Sequence, residues 1–130
     1  MTDKWPSHGR FINRFNALGP YLRKQQSNQE LYFFDCLSEC LDAGVTPELR
    51  EFYGWWMELS VVDDGFIYEY WYGFYDRAGE WNEQKIPQEF ESSTRQSLLD
   101  FYGKLTDELE ALSIELMPSP RLDPSRVLAA

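Results

Sequence analysis

Two observations predict an α+β domain. Aromatic and branched side chains alternate along two runs joined by Asp64-Gly65, and a later stretch repeats its apolar residues every three or four positions. The expected architecture is an antiparallel β-sheet of about four strands, with a long C-terminal helix packed on one face and short helices near residues 8–18 and 47–51. A length of 130 residues suits one domain over 1–130. Such a domain buries roughly two-thirds of its unfolded surface, so it needs no disulfide or metal to fold. Residues 1–9 and 118–130 are expected to be loose tails.

The elements follow in order. Ser7 to Gly19 reads as a helix, with Phe11, Ile12, Phe15 and Leu18 on one side and Arg10 and Arg14 on another. Gly19-Pro20 stops it, because glycine takes the left-handed cap and proline cannot continue. Tyr21 to Lys24 leaves extended, and Gln25 to Glu30 is a polar loop. Leu31 to Leu41 reads as a strand. Thr46-Pro47 opens a single helical turn.

Phe52 to Val62 and Phe66 to Tyr75 read as a hairpin, since Asp-Gly is a preferred two-residue turn. With Asp63 opposite Phe66, Trp55 faces Phe74, Met57 faces Tyr72, Leu59 faces Tyr70 and Val61 faces Tyr68, giving an apolar face. Trp56, Glu58, Ser60 and Val62 fall on the other face, which is mixed and therefore wetter. After the turn at Asp76-Arg77-Ala78-Gly79, Glu80-Trp81-Asn82 starts a fourth strand. The helix is expected over Pro87 to Met117, where Phe90, Thr94, Leu98, Phe101, Leu105, Leu109, Leu112 and Leu116 form one stripe. Pro118 and Pro120 end it.

Composition excludes several functions. Twelve Lys and Arg against 22 Asp and Glu give a net charge of -10, which opposes bulk electrostatic binding to nucleic acid or anionic lipid. The charge is uneven. Residues 1–30 carry five basic and two acidic side chains, whereas residues 31–130 carry seven and 20. Met1 to Arg10 holds no apolar h-region, so no secretory signal is expected. The longest uncharged stretch, Phe15 to Leu22, is eight residues, far short of the ~20 that cross a membrane. Cys36 and Cys40 lack the spacing of a redox or zinc motif and are expected to be buried, reduced thiols.

Little in the chain suggests catalysis. His8 is the only histidine, so no Ser/His/Asp triad can be built, and no nucleophile motif surrounds either cysteine. Neither GxGxxG nor GxxxxGK[ST] occurs. Asp63-Asp64 belongs to a turn, and Asp107, Glu108 and Glu110 to the solvated side of the long helix. Tyr72 to Asp76, YGFYD, faintly resembles an RNA-recognition aromatic motif but lacks its basic flanks. No cofactor, no metal and no enzymatic activity are expected.

The aromatic residues remain. Between Phe52 and Tyr75, 11 of 24 residues are aromatic. One helical layer cannot cover both faces of a sheet, and each ring can bury ~150–250 Å². Four rings left exposed would present on the order of 600–1,000 Å², close to one side of a standard protein interface. A rich core with scattered surface rings and a protein-docking surface are the two readings of this cluster.

The segments FNALGPYLRK (15–24), YFFDCLSEC (32–40), TPELREFYGWWMEL (46–59) and FYDRAGEW (74–81) resemble the Crl family, the sigma factor-binding proteins of enteric and related bacteria. The resemblance covers Phe11 to about Trp81, and the long helix by length and pattern. REFYGWWMEL is its most specific run. The resemblance implies a cytoplasmic transcription activator of the stress response. It would bind the stationary-phase sigma factor, sigma-S, at the domain that recognises the −10 element, and promote assembly with core RNA polymerase. It would also bridge to the β′ subunit, without specific DNA or membrane binding and as a monomer, with other sigma factors as further partners.

The implied sigma-binding residues are Tyr21 and Arg23 in GPYLR, Arg50 and Phe52 in LREF, Trp55 in GWW and Trp81 in GEW. Arg10 and Arg14 are candidates for polymerase contact. Tyr53 stands where some members carry Trp. Arg50 suits a bidentate pair with an acidic loop, and Tyr21, Phe52 and Trp81 would supply apolar area around it. Trp55 is in tension with the predicted register, which puts it on the helix-covered face and Trp56 on the wetter one. The competing readings are a small ligand-binding or enzymatic α+β domain with an aromatic-lined pocket, and a homodimer docked through its sheet face.

Overall fold

The computed structural model describes residues 5–129; residues 1–4 and 130, parts of the two expected tails, lie outside the described residues. The chain runs α1 (His8–Asn16), β1 (Leu31–Cys40), β2 (Phe52–Val62), β3 (Gly65–Tyr75), β4 (Trp81–Glu83), α2 (Gln88–Ala111) and β5 (Glu115–Pro118), with short 3₁₀ turns at Lys24–Gln26, Pro47–Leu49 and Pro124–Arg126. This is the expected α+β class with one more strand than predicted. β1, β2, β3 and β4 pair antiparallel in that order, and β5 pairs parallel with β3, so the sheet is mixed. β4 and β5 share the outer edge of β3, one opposite its end and the other opposite its start.

Ser7 starts α1 by accepting the Arg10 N–H at 3.2 Å, which satisfies one of the free amides of the first turn. The helix buries Phe11 and Phe15 against Tyr32 and Phe66. α2 lies on the same side of the sheet. Thr94, Leu98, Phe101, Leu105 and Leu109 of the predicted stripe are buried, with Tyr102 beside them. Together they cover Trp55, Met57 and Leu59 of β2 and Phe66, Tyr68 and Tyr70 of β3.

Three expectations about these elements are corrected. First, α2 stops at Ala111 rather than Met117. Ser113 takes a left-handed φ of 58°, the Ser113 N–H bonds to the Glu110 carbonyl at 3.0 Å, and the Ile114 N–H bonds to the Leu109 carbonyl at 2.9 Å. This is a Schellman cap, closed by contact of buried Ile114 and Leu109 in one core. Leu116 continues the apolar spacing only because it points inward from β5.

Second, the hairpin loop is Asp63-Asp64, not Asp64-Gly65: Val62 pairs with Gly65, Trp55 with Tyr72 and Met57 with Tyr70. Asp63 takes the positive φ of 42°, which a short polar side chain tolerates. The shift moves each partner by two residues, so every side chain keeps its predicted face. Third, the C-terminal segment is held rather than loose. Leu122 is buried, the Leu128 N–H donates to the Tyr68 hydroxyl at 2.8 Å, and the Tyr70 hydroxyl donates to the Arg126 carbonyl at 2.7 Å.

Residues 21–23 run along the outer edge of β1. Asp35 N–H donates to the Tyr21 carbonyl at 3.0 Å, and Arg23 N–H to the Phe33 carbonyl at 2.9 Å. Further on, β1 carries a bulge between Leu37 and Glu39, beside Gly54. A Cβ at Gly54 would stand 1.9 Å from the Cys36 carbonyl oxygen, so only glycine permits this approach. Both cysteines are free; Cys36 is half-buried but Cys40 is exposed, contrary to the buried pair expected. Among the described residues, no helix is long and apolar enough to cross a membrane.

Candidate functional site

Alternation in β2 and β3 sends Trp56 and Trp71 to the face away from α2, where they pair directly across the strands. Their rings stack at 5.6 Å and 20°, and Trp81 from β4 stacks on Trp56 at 4.9 Å and 29°. The stack needs Gly73. A Cβ there would come within 2.9 Å of the Trp56 ring and 2.2 Å of the Asn82 carbonyl oxygen. One row further, Phe52, Tyr75 and Trp81 lie side by side across β2, β3 and β4. Tyr75 meets Phe52 at 6.5 Å and Trp81 edge-on at 5.2 Å. All five rings remain partly exposed.

A buried carboxylate orients this patch. Asp35 sits opposite Trp56 on β1 and is only 4% exposed. Its Oδ2 accepts the Trp81 indole N–H at 2.9 Å, while Oδ1 accepts from the Arg23 Nε. The ion pair meets the requirement that a buried charge be paired, and Asp35 thereby ties Arg23 to Trp81. Further along the same face Glu58 and Glu69 stand directly opposite one another. Arg121 reaches Glu69 at 3.1 Å. Burial, and then the Glu69 charge, raise the Glu58 carboxyl above its ordinary value, while Arg121 acts in the opposite direction.

The residues predicted for the site divide between the two faces. Arg23, Phe52 and Trp81 belong to the open face and are joined through Asp35 and Tyr75. Trp55 is wholly buried under α2, donating its indole N–H to Ser97 at 3.1 Å. Tyr21 stacks on Trp55 at 5.8 Å and packs on Phe101 at 4.9 Å, at the rim of the covered face. Lys104 lies 5.8 Å from the Tyr21 ring centre. Burial first, then Cys36 and Asp100, raise the Tyr21 hydroxyl above its ordinary value.

The arginines have separate settings. Arg50 folds back on the loop before β2, donating from Nε to the Val45 carbonyl and from Nη2 to the Ala43 carbonyl, both at 2.9 Å. Nη1 has no partner among the described residues. Arg14 pairs with Glu108 and fastens α1 to α2, whereas Arg10 is exposed. Sequence reasoning did not single out Trp71, Tyr75 or Asp35. Trp56 and Trp71 were detectable by parity, both falling on the uncovered face. Asp35 was detectable as the one acid inside the aromatic run YFFDC.

Over residues 1–125 the sequence matches the family described as sigma factor-binding transcriptional regulator Crl. It is 44% identical over 120 residues to the sigma factor-binding protein Crl of Photobacterium profundum, covering 92% of this chain and 90% of the relative. It is 45% identical over 105 residues to the protein of that name from Vibrio vulnificus, with 81% of each chain covered. To the Vibrio cholerae serotype O1 protein it is 38% identical over 106 residues, with 82% of each covered. The motifs in four segments, the α+β fold and these matches over most of the chain agree: the chain belongs to the Crl family of sigma factor-binding transcriptional regulators.

Proposed function

We propose that this chain binds sigma-S at the domain recognising the −10 element, promotes its assembly with core RNA polymerase and contacts the β′ subunit. It acts in the cytoplasm as a monomer, in the stress response, and is not an enzyme. The observation that carries this reading is the open-face patch of Trp56, Trp71, Trp81, Tyr75 and Phe52, flanked by Arg23 and fixed by Asp35. Trp, Tyr and Arg are the residues that dominate interface energetics. Phe52 lies two residues beyond Arg50, whose free Nη1 can reach for an acidic group on the partner while its other nitrogens brace the loop. Tyr21 and Trp55 support the site from the covered side. Arg10, exposed on α1, is the basic residue offered to polymerase, since Arg14 is already paired.

A protein with a net charge of -10 has little attraction for promoter DNA, so protein contacts decide where it sits. Binding only the sigma conformation competent for core raises the competent fraction by mass action and lowers the apparent dissociation constant. The test mixes purified protein with sigma-S and core polymerase at limiting sigma. The expected result is a complex with sigma-S alone and an increased yield of holoenzyme. Absence of both would overturn the reading. Other sigma factors in parallel reactions define the range accepted, and sedimentation at tens of micromolar distinguishes monomer from dimer.

A further inference from the structure

On the side of the sheet away from the indole stack, a cleft of about 790 Å³ opens between β3, the β4–α2 connection, the first half of α2 and the C-terminal segment. Its size is that of a small-molecule site. Lys85, Arg95 and Arg126 line it, against Glu83 and Glu91. In a chain that carries 22 acids and 12 bases this is a cationic exception. Among the described residues none of these three cations forms an ion pair.

The donors are arranged rather than scattered. The Arg126 guanidinium lies 4.6 Å over the Tyr70 ring, and its Nη2 donates to the Tyr70 carbonyl at 3.1 Å. That leaves Nε and Nη1 for a ligand. The Tyr72 hydroxyl has no hydrogen-bond partner among the described residues, and its electrostatic neighbours are Tyr70, Arg95, Arg126 and Glu91. Burial pushes it up to about 12, so at neutral pH it keeps its proton and can donate. Tyr70 and Tyr72, with Ile86 and Leu99, supply the apolar wall.

We propose that this cleft binds a small organic anion, a carboxylate or phosphate monoester on a flat ring. Arg95, Arg126 and the Tyr72 hydroxyl hold the anionic group, and the tyrosine and aliphatic walls hold the ring. Guanidinium geometry suits both anions, so the chemistry they share defines the site.

Titration of the full chain with phenylacetate, phenyl phosphate and benzyl alcohol, followed by NMR, tests the assignment. The expected result is saturable shifts at Tyr70, Tyr72, Arg95 and Arg126 with one or both anions, at about 1–10 mM for ligands of this size. Whichever anion binds more tightly identifies the headgroup. Arg95→Ala and Tyr72→Phe should each weaken that binding at least ~5-fold, because charge-assisted hydrogen bonds exceed this in free energy. Arg95 is exposed, so its removal should leave thermal melting unchanged. Sigma-S binding by the same variants should also be unchanged, since the open face is untouched. No saturable shift, equal binding of benzyl alcohol, or wild-type affinity in Arg95→Ala would each overturn the proposal.

Discussion

Trp55 and Trp56 are neighbours in sequence and occupy opposite faces of the same strand. Trp55 is sealed under α2, with its N–H bonded to Ser97 and its ring between Tyr21 and Phe101. Trp56 stacks between Trp71 and Trp81 and remains partly in water. The covered face is closed by two helices. The open face is organised by a buried carboxylate and by glycine, which together hold large rings flat without enclosing them. Ring count alone says nothing of role; cover decides whether a ring is sealed into the core or left able to meet a partner.

The largest expected effect breaks the covered face. Trp55→Ala leaves a cavity and a Ser97 hydroxyl without its donor, and should cost about 3–5 kcal/mol of stability in urea unfolding. Any loss of sigma-S binding in that variant should follow the unfolded fraction. Trp81→Ala tests the opposite face: affinity for sigma-S should fall at least ~10-fold, about 1.4 kcal/mol, while the unfolding midpoint moves far less than in Trp55→Ala. If the two variants behave alike in both assays, the division of roles between faces is wrong.

Asp35→Asn keeps an acceptor for Trp81 but removes the charge facing Arg23. It should lower stability by about 1–2 kcal/mol, measured by denaturation, because the carboxylate is buried while Arg23 is partly screened by water. Ser113→Gly relieves a left-handed side chain at the end of α2 and should raise stability by about 0.5–1 kcal/mol, read as a higher melting temperature.

The smallest effect depends on pH. The folded Glu58 carboxyl lies above its unfolded value, so the folded chain holds that proton more tightly. Its contribution therefore rises as pH falls into the window just above the ordinary carboxylate range, and is lost as pH rises through it. Glu58→Gln should flatten that dependence and add about 0.2–1 kcal/mol at neutral pH, as expected for removing a like-charge cross-strand pair. Melting curves across pH 4–7 (roughly the range that spans a raised carboxylate) would show no difference between variant and parent if the pair is indifferent.

Much of this was legible from local pattern. The alternation from Phe52 to Tyr75 assigned each side chain to its face even though the loop was placed one residue late, because a pairing shift of two residues preserves parity. The stripe of α2 was visible from Phe90 to Leu109. Its end was not, because Ser113 does the work that glycine normally signals and Leu116 keeps the helical spacing by coincidence. β5 was hidden for the same reason, as four residues carry no periodicity strong enough to contradict the helix. The resemblance supplied the residues Arg23, Phe52 and Trp81, but not the link between them. That link is Asp35, whose role depends on a cross-strand approach no spacing rule encodes.

The outer edge of β3 is divided between two short strands. β5 occupies it at residues 65–68 and β4 at 73–75. Between them the Tyr70 carbonyl is taken by Arg126 and the Tyr72 carbonyl by the Gln84 N–H. At the other side of the sheet, residues 21–23 occupy the first half of the β1 edge. The backbone left for an added strand, the route that gives many domains sequence-tolerant affinity, is confined to the second half of β1 and the outer sides of the short β4 and β5. Under the proposed function a partner meets side chains over most of the sheet, and its selectivity would rest on a few large rings, each of which a single substitution can remove.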